Sequence, residues 1–86
     1  MLRLLYFTAN WCGPCRAFSP VADKVLSQFS DVDYLKVDVD YSPELTQKYY
    51  VTSVPTIVLE RGGVLVDRRS GMMSESDLIK FIESNK

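Results

Sequence analysis

The chain has 86 residues, a formal net charge of -1 and an apolar fraction of 47%. That is one ordinary globular domain over residues 1–86, just above the ~70–80 residues below which a core alone supplies only ~3–5 kcal/mol. Acidic and basic residues alternate with no long block of either sign, which argues against nucleic acid and against electrostatic membrane binding, and no apolar run is long enough to span a bilayer.

Residues 2–8 are nearly continuous apolar, the pattern of a strand covered on both faces. A signal peptide is the rival reading, because Arg3 precedes apolar residues, but the run ends by Ala9 with Trp11 and Cys12 next. With no such leader the expected compartment is the reducing cytosol. From Cys12 to about Phe29, the residues Phe18, Val21, Ala22, Val25, Leu26 and Phe29 form one helical stripe, with a kink expected at Pro20.

Residues 34–39 alternate, with Leu35, Val37 and Val39 predicted to form the apolar face of a strand. Ser42 and Pro43 read as N-cap and first helical residue of a short helix to about Tyr50, with Tyr49 and Tyr50 expected to pack. Thr56–Glu60 and Val64–Arg68 are predicted to form an antiparallel hairpin through Arg61-Gly62-Gly63. Arg68 and Arg69 read as solvated strand-end residues. Ser74 to Asp77 resembles a capping box opening a last helix to about Ser84, with Leu78, Ile79 and Ile82 facing the core. The order β-α-β-α-β-β-α is an α/β fold with a mixed sheet.

Chemistry concentrates in Trp11-Cys12-Gly13-Pro14-Cys15, which holds the only two cysteines of a chain without histidine. Cysteines at this spacing on a helix start share a face, so their sulfurs can meet in a disulfide. Cys12 stands where unpaired N–H groups and the positive end of the helix dipole favour an anion, which lowers a thiol pKa. Cys15, one turn further in, is expected to stay protonated until needed. Cys12 is therefore the predicted attacking thiolate, and Cys15 the thiol that resolves the mixed disulfide. Zinc normally takes four ligands, so two cysteines make at most a half-site shared across a dimer, and no metal is predicted. Asp23, Asp38 and Asp40 read as solvated.

With these residues in view, the chain resembles the thioredoxin family over its full length. Trp11 to Cys15, Pro20 in the helix, Lys36 on the neighbouring strand, Val54-Pro55-Thr56 and Gly71 all match its pattern. The resemblance implies a thioredoxin-like three-layer sandwich on a minimal four-stranded mixed sheet, with residues 34–39 at an edge because the family's additional first β–α unit has no counterpart before Met1. It also implies a cis bond before Pro55 and a substrate surface of Trp11, Gly13, Pro14, Val54, Pro55, Gly71 and Met72. Lys36 and Tyr6 are the implied tuning positions. The family usually carries a buried aspartate where Tyr6 stands, and an ordinary tyrosine hydroxyl, titrating near ~10, is a poor base for the resolving thiol.

The implied activity is reduction of protein disulfides by dithiol exchange, with no cofactor beyond the Cys12–Cys15 disulfide. The implied partners are disulfide-containing proteins and a donor that is thioredoxin reductase-like or glutathione; the chain is expected to be monomeric. The Gly13-Pro14 dipeptide resembles that of reducing members. Two rivals are a glutaredoxin-like protein coupled to glutathione and a non-catalytic binding module using the groove around Trp11 and Pro55.

Overall fold

The computed structural model describes residues 1–86. Strands β1 (Leu2–Thr8), β2 (Val32–Asp38), β3 (Thr56–Arg61) and β4 (Val64–Ser70) alternate with helices α1 (Gly13–Leu26), α2 (Pro43–Lys48) and α3 (Glu75–Glu83) in the expected order. The sheet runs β2-β1-β3-β4, with β1 parallel to β2 and antiparallel to β3, and β3 antiparallel to β4. No helix is long and apolar enough to cross a membrane.

The continuous apolar run of β1 is explained by its central place. Its pleat sends Leu2, Leu4 and Tyr6 to one face, where Phe18, Ala22, Val25 and Leu26 of α1 and Leu78, Phe81 and Ile82 of α3 cover them. Leu5 and Phe7 point to the opposite face, with Val37, Tyr49 and Val58. Each fully buried large side chain stabilises the fold by roughly 1.5–3 kcal/mol. Three layers result: two helices, the sheet, and the short α2.

The hairpin turn is Gly62-Gly63, both at positive φ (58° and 80°), between the paired residues Arg61 and Val64. Positive φ at both central residues gives the turn the twist of its strands, which is why glycine stands there. Ser74 caps α3 by accepting from the Asp77 N–H at 3.1 Å.

Several expectations need correction. Helix α1 ends at Leu26: Ser27 caps it, and Phe29 reaches the core from a following turn with the Lys86 ammonium 4.7 Å over its ring. Pro20 lies inside this helix, as the sequence places it. Strand β2 starts at Val32 and stops before Val39, because the Asp38 side chain takes the Asp40 N–H and its carbonyl takes the Tyr41 N–H. Ser42 does not cap α2 with its side chain; its carbonyl accepts from both the N–H and the hydroxyl of Thr46. Leu35 is exposed rather than buried, because six-residue α2 is too short to cover that end of the sheet. An open groove of about 490 Å³ remains there, between Met1, Arg3, Leu35, Leu45 and Glu60.

Tyr49 packs as predicted, but Tyr50 is 82% exposed. The buried Glu60 takes the Tyr49 hydroxyl proton donor on one oxygen and lies 3.6 Å from Arg3 on the other, which offsets the cost of burying a carboxylate. Burial, followed by the hydrogen bond to Glu60, pushes the Tyr49 phenol up to about 12. The two arginines are not merely solvated. Arg68 donates to the carbonyls of Tyr49 and Tyr50, and Arg69 lies over the Phe81 ring at 5.2 Å and donates to Asp67. Desolvation raises the Asp67 pKa, but hydrogen bonds from Asn85 and the Arg68 N–H, together with Arg69, outweigh it and lower the carboxyl.

Candidate active site

The chain leaves β1 at Thr8, turns through Ala9 and Trp11, and enters α1 at Cys12, the N-cap residue. The Cys12 N–H closes the turn on the Ala9 carbonyl at 3.2 Å. Pro14 stands in the first turn of α1, where a missing N–H costs nothing and its fixed φ suits the helix. Cys12 has extended backbone dihedrals, so its sulfur swings back over the helix end and accepts from the Cys15 N–H at 3.1 Å. This is an N-cap interaction in which sulfur replaces the usual hydroxyl oxygen.

Cys12 and Cys15 are joined in a disulfide with Cα atoms 5.3 Å apart. Relative exposure is 4% for Cys12 and 1% for Cys15, so the order expected from sequence holds by a small margin. Both sulfur-bearing residues pack with Ala9, Val39 and Val54.

The Val54–Pro55 bond is cis, and the Val54 carbonyl oxygen lies 3.7 Å from Cys12 Sγ. The loop holding it is tied at Ser53, whose carbonyl accepts from the Thr56 hydroxyl at 2.7 Å, and at Pro55, whose carbonyl accepts from the Gly71 N–H at 2.8 Å. Gly71 has φ 89°, a conformation that other residues rarely adopt. Trp11, Val39 and residues 51–54 line a groove of about 140 Å³ beside the disulfide. Gly13, Pro14 and Met72 are exposed, and nothing lies within 4 Å of where a Gly13 side chain would begin.

Trp11 is 66% exposed, yet its indole N–H donates to Asp40 Oδ2 at 2.9 Å. Asp40 is therefore not simply solvated. Sequence spacing gave no sign of this pair, which forms only because β1 and β2 end side by side.

The two positions implied for tuning lie in different surroundings. Tyr6 is fully buried and directs its hydroxyl to the Cys15 carbonyl, 3.3 Å, and to Ser19 Oγ, 2.9 Å. It touches the helix backbone under Cys15, with no bond to either sulfur. Lys36 is the cross-strand neighbour of Tyr6, but its ammonium runs outward to Asp23 Oδ2 at 2.9 Å on α1. Asp23 also accepts from the Tyr34 hydroxyl at 2.8 Å. Burial first, then that hydrogen bond, pushes the Tyr34 phenol strongly upward. Lys36 thus has a carboxylate partner on the surface.

An exchangeable cysteine pair at a helix N-terminus, facing the backbone of a neighbouring loop across an open groove, defines a thiol–disulfide oxidoreductase. Comparison with known proteins agrees. The Thioredoxin family profile matches residues 1–84. Thioredoxin of Chlamydia trachomatis is 39% identical over 85 residues, covering 99% of this chain and 83% of that one. The X-ray structure of Fasciola hepatica thioredoxin superposes with a TM-score of 0.92 at 40% identity, over 99% of this chain and 81% of that chain. Thioredoxin-2, described as a component of malaria parasite protein secretion machinery, superposes with a TM-score of 0.90 at 34% identity, over 98% and 82% of the two chains. The chain belongs to the thioredoxin family.

Proposed function

We propose that this protein reduces disulfides of protein substrates, with Cys12 as nucleophile and Cys15 as resolving thiol. The observation that carries the reading is the position of Cys12 Sγ. It receives the Cys15 N–H at the helix end and faces the Val54 carbonyl across the groove.

In the reduced protein the Cys12 thiolate attacks one sulfur of the substrate disulfide. The substrate S–S bond breaks, and its second sulfur departs and takes a proton. Cys15 then loses its proton and attacks Cys12 Sγ. The Cys12–Cys15 disulfide forms, the mixed disulfide breaks, and the first substrate sulfur departs and is protonated. Two electrons and two protons pass to substrate. The Cys15 N–H stabilises the Cys12 thiolate that begins the first step. With Tyr6 engaged by Cys15 O and Ser19, no buried carboxylate takes the Cys15 proton, and solvent receives it.

Substrate chain pairs with the Val54 backbone, while Trp11, Gly13, Pro14, Pro55, Gly71 and Met72 supply contacts around the sulfur. The Cys-Gly-Pro-Cys sequence supports the reducing direction and a role in electron transfer from a reductase of the thioredoxin reductase type. The protein works as a monomer in the cytosol.

Insulin reduction, run in parallel with thioredoxin reductase and with glutathione as donor, tests this. Turnover with the reductase supports the proposal, and turnover with glutathione alone moves the protein to a glutaredoxin-like role. Turnover with neither, even with dithiothreitol, defeats it. A Cys12→Ser, Cys15→Ser variant that kept full biological function would identify a binding module instead.

A further inference from the structure

Helix α2 precedes the substrate loop, and no residue of it is fully buried. Its end is held by the buried ring of the capping residue Tyr49, packed with Phe7 and Val58, and by hydrogen bonds. Its C-terminus closes in a Schellman arrangement: the Tyr50 N–H bonds Gln47 O at 3.1 Å, and the Val51 N–H bonds Thr46 O at 3.0 Å. The residue at the left-handed position of that motif is usually glycine, and here it is Tyr50, at φ 54°. An exposed tyrosine held in this conformation needs support from its surroundings.

Arg68 supplies it. From β4, at the sheet edge, its guanidinium donates through Nη1 to the Tyr49 carbonyl at 2.6 Å and through Nη2 to the Tyr50 carbonyl at 3.4 Å. These carbonyls lie past the helix end and have no helical donor. The same turn is pinned from below by the Tyr49 hydroxyl on Glu60. Residues 51–54 follow at once and form one wall of the groove, ending at the Val54 carbonyl beside Cys12.

We propose that Arg68 is a positioning residue for substrate binding, holding the strained Tyr50 corner so that residues 51–54 stand ready to pair with a substrate chain opposite Cys12. This rests on the groove being the substrate site, as proposed above. Arg68 touches neither sulfur, so its contribution falls on binding of an extended protein substrate and not on the exchange chemistry. A planar fork serves two carbonyls at once, which a lysine ammonium does less well.

The test is steady-state reduction of insulin by Arg68→Met and Arg68→Lys, with dithiothreitol as reductant. The reaction of each reduced variant with 5,5′-dithiobis(2-nitrobenzoate), a small disulfide that needs only the sulfur, runs beside it. We expect KM for insulin to rise about tenfold in Arg68→Met and less in Arg68→Lys, with kcat and the small-disulfide rate within about twofold of the parent. Adding Tyr50→Gly to Arg68→Met should return KM most of the way, because glycine takes the left-handed conformation without support. An unchanged KM in folded Arg68→Met overturns the proposal. So does a parallel fall in both reactions, or a double variant no better than the single one. Should Arg68→Met not fold, Arg68→Lys carries the same comparison, and failure of both to fold makes Arg68 a stability residue and ends the proposal. Hydrogen exchange at the Val51 amide, expected to quicken in Arg68→Met, tests the loop's anchoring even if insulin proves not to be a substrate of the parent.

Discussion

The indole of Trp11 is tethered to the carboxylate of Asp40, 2.9 Å away at the end of the neighbouring strand, although the ring itself stands largely in solvent. A large apolar surface beside the disulfide is thereby held in one orientation. Asp40→Ala should free the ring while costing less than about 1 kcal/mol of stability, because the bond is exposed. Trp11 is the only tryptophan, so its fluorescence anisotropy decay reports the change directly. Faster local motion is expected, and an unaltered decay would show that packing alone orients the ring.

The second prediction concerns Cys12. In a Cys15→Ser variant, the rate of Cys12 alkylation should reach half its maximum well below the free-thiol value of ~8.5. The cause is the helix N-terminus, and the residue 15 N–H that Cys12 Sγ meets at 3.1 Å. A midpoint at or above the free value would remove the case for Cys12 as the nucleophile.

Tyr6 supplies a third. It is fully buried against Phe18, with ring centroids 5.5 Å apart, and is hydrogen-bonded under α1. Tyr6→Asp removes that ring and buries a carboxyl, whose folded pKa rises above the unfolded ~3.9 through desolvation. A raised folded pKa means the introduced group is best tolerated below ~3.9. The destabilisation should grow as pH rises from there towards the folded pKa and level off above it. Denaturant titration of both proteins from acid to neutral pH measures this, and a flat difference would contradict burial of the new carboxyl.

A fourth prediction follows from Tyr49. Its folded pKa of about 12 exceeds the unfolded ~10, so the folded state holds this proton more tightly. The resulting stability is complete below ~10 and is lost as pH climbs from there through about 12. Tyr49→Phe should reduce this alkaline loss, though Tyr34, also raised, keeps part of it. At neutral pH the same change should cost about 1–3 kcal/mol, since Glu60 loses a hydrogen bond while buried. Urea midpoints from neutral pH to 12 separate the two effects.

Much of this protein was determined by local sequence alone. The apolar run of β1, the helical stripe from Phe18 to Leu26, the glycine pair of the hairpin and the Ser74 cap each state their structure within a few residues, because periodicity and turn stereochemistry are local properties. The chemistry was equally legible: two cysteines one turn apart at a helix start have few other uses, and their surroundings match one family over the whole chain.

Tertiary structure alone decided what lies between elements. Asp40 reaches Trp11 across 29 positions, Arg68 reaches Tyr49 across 19, and Lys36 finds Asp23 on α1. None of these pairs is visible as spacing, since each depends on which strands become neighbours and where a helix stops. Leu35 and Tyr50 are exposed for reasons equally invisible in spacing. Their apolar character says that burial is favourable, but the short α2 leaves Leu35 uncovered and the left-handed turn after it leaves Tyr50 in solvent. A side chain's chemistry belongs to the sequence, whereas its partner is set by how the layers close.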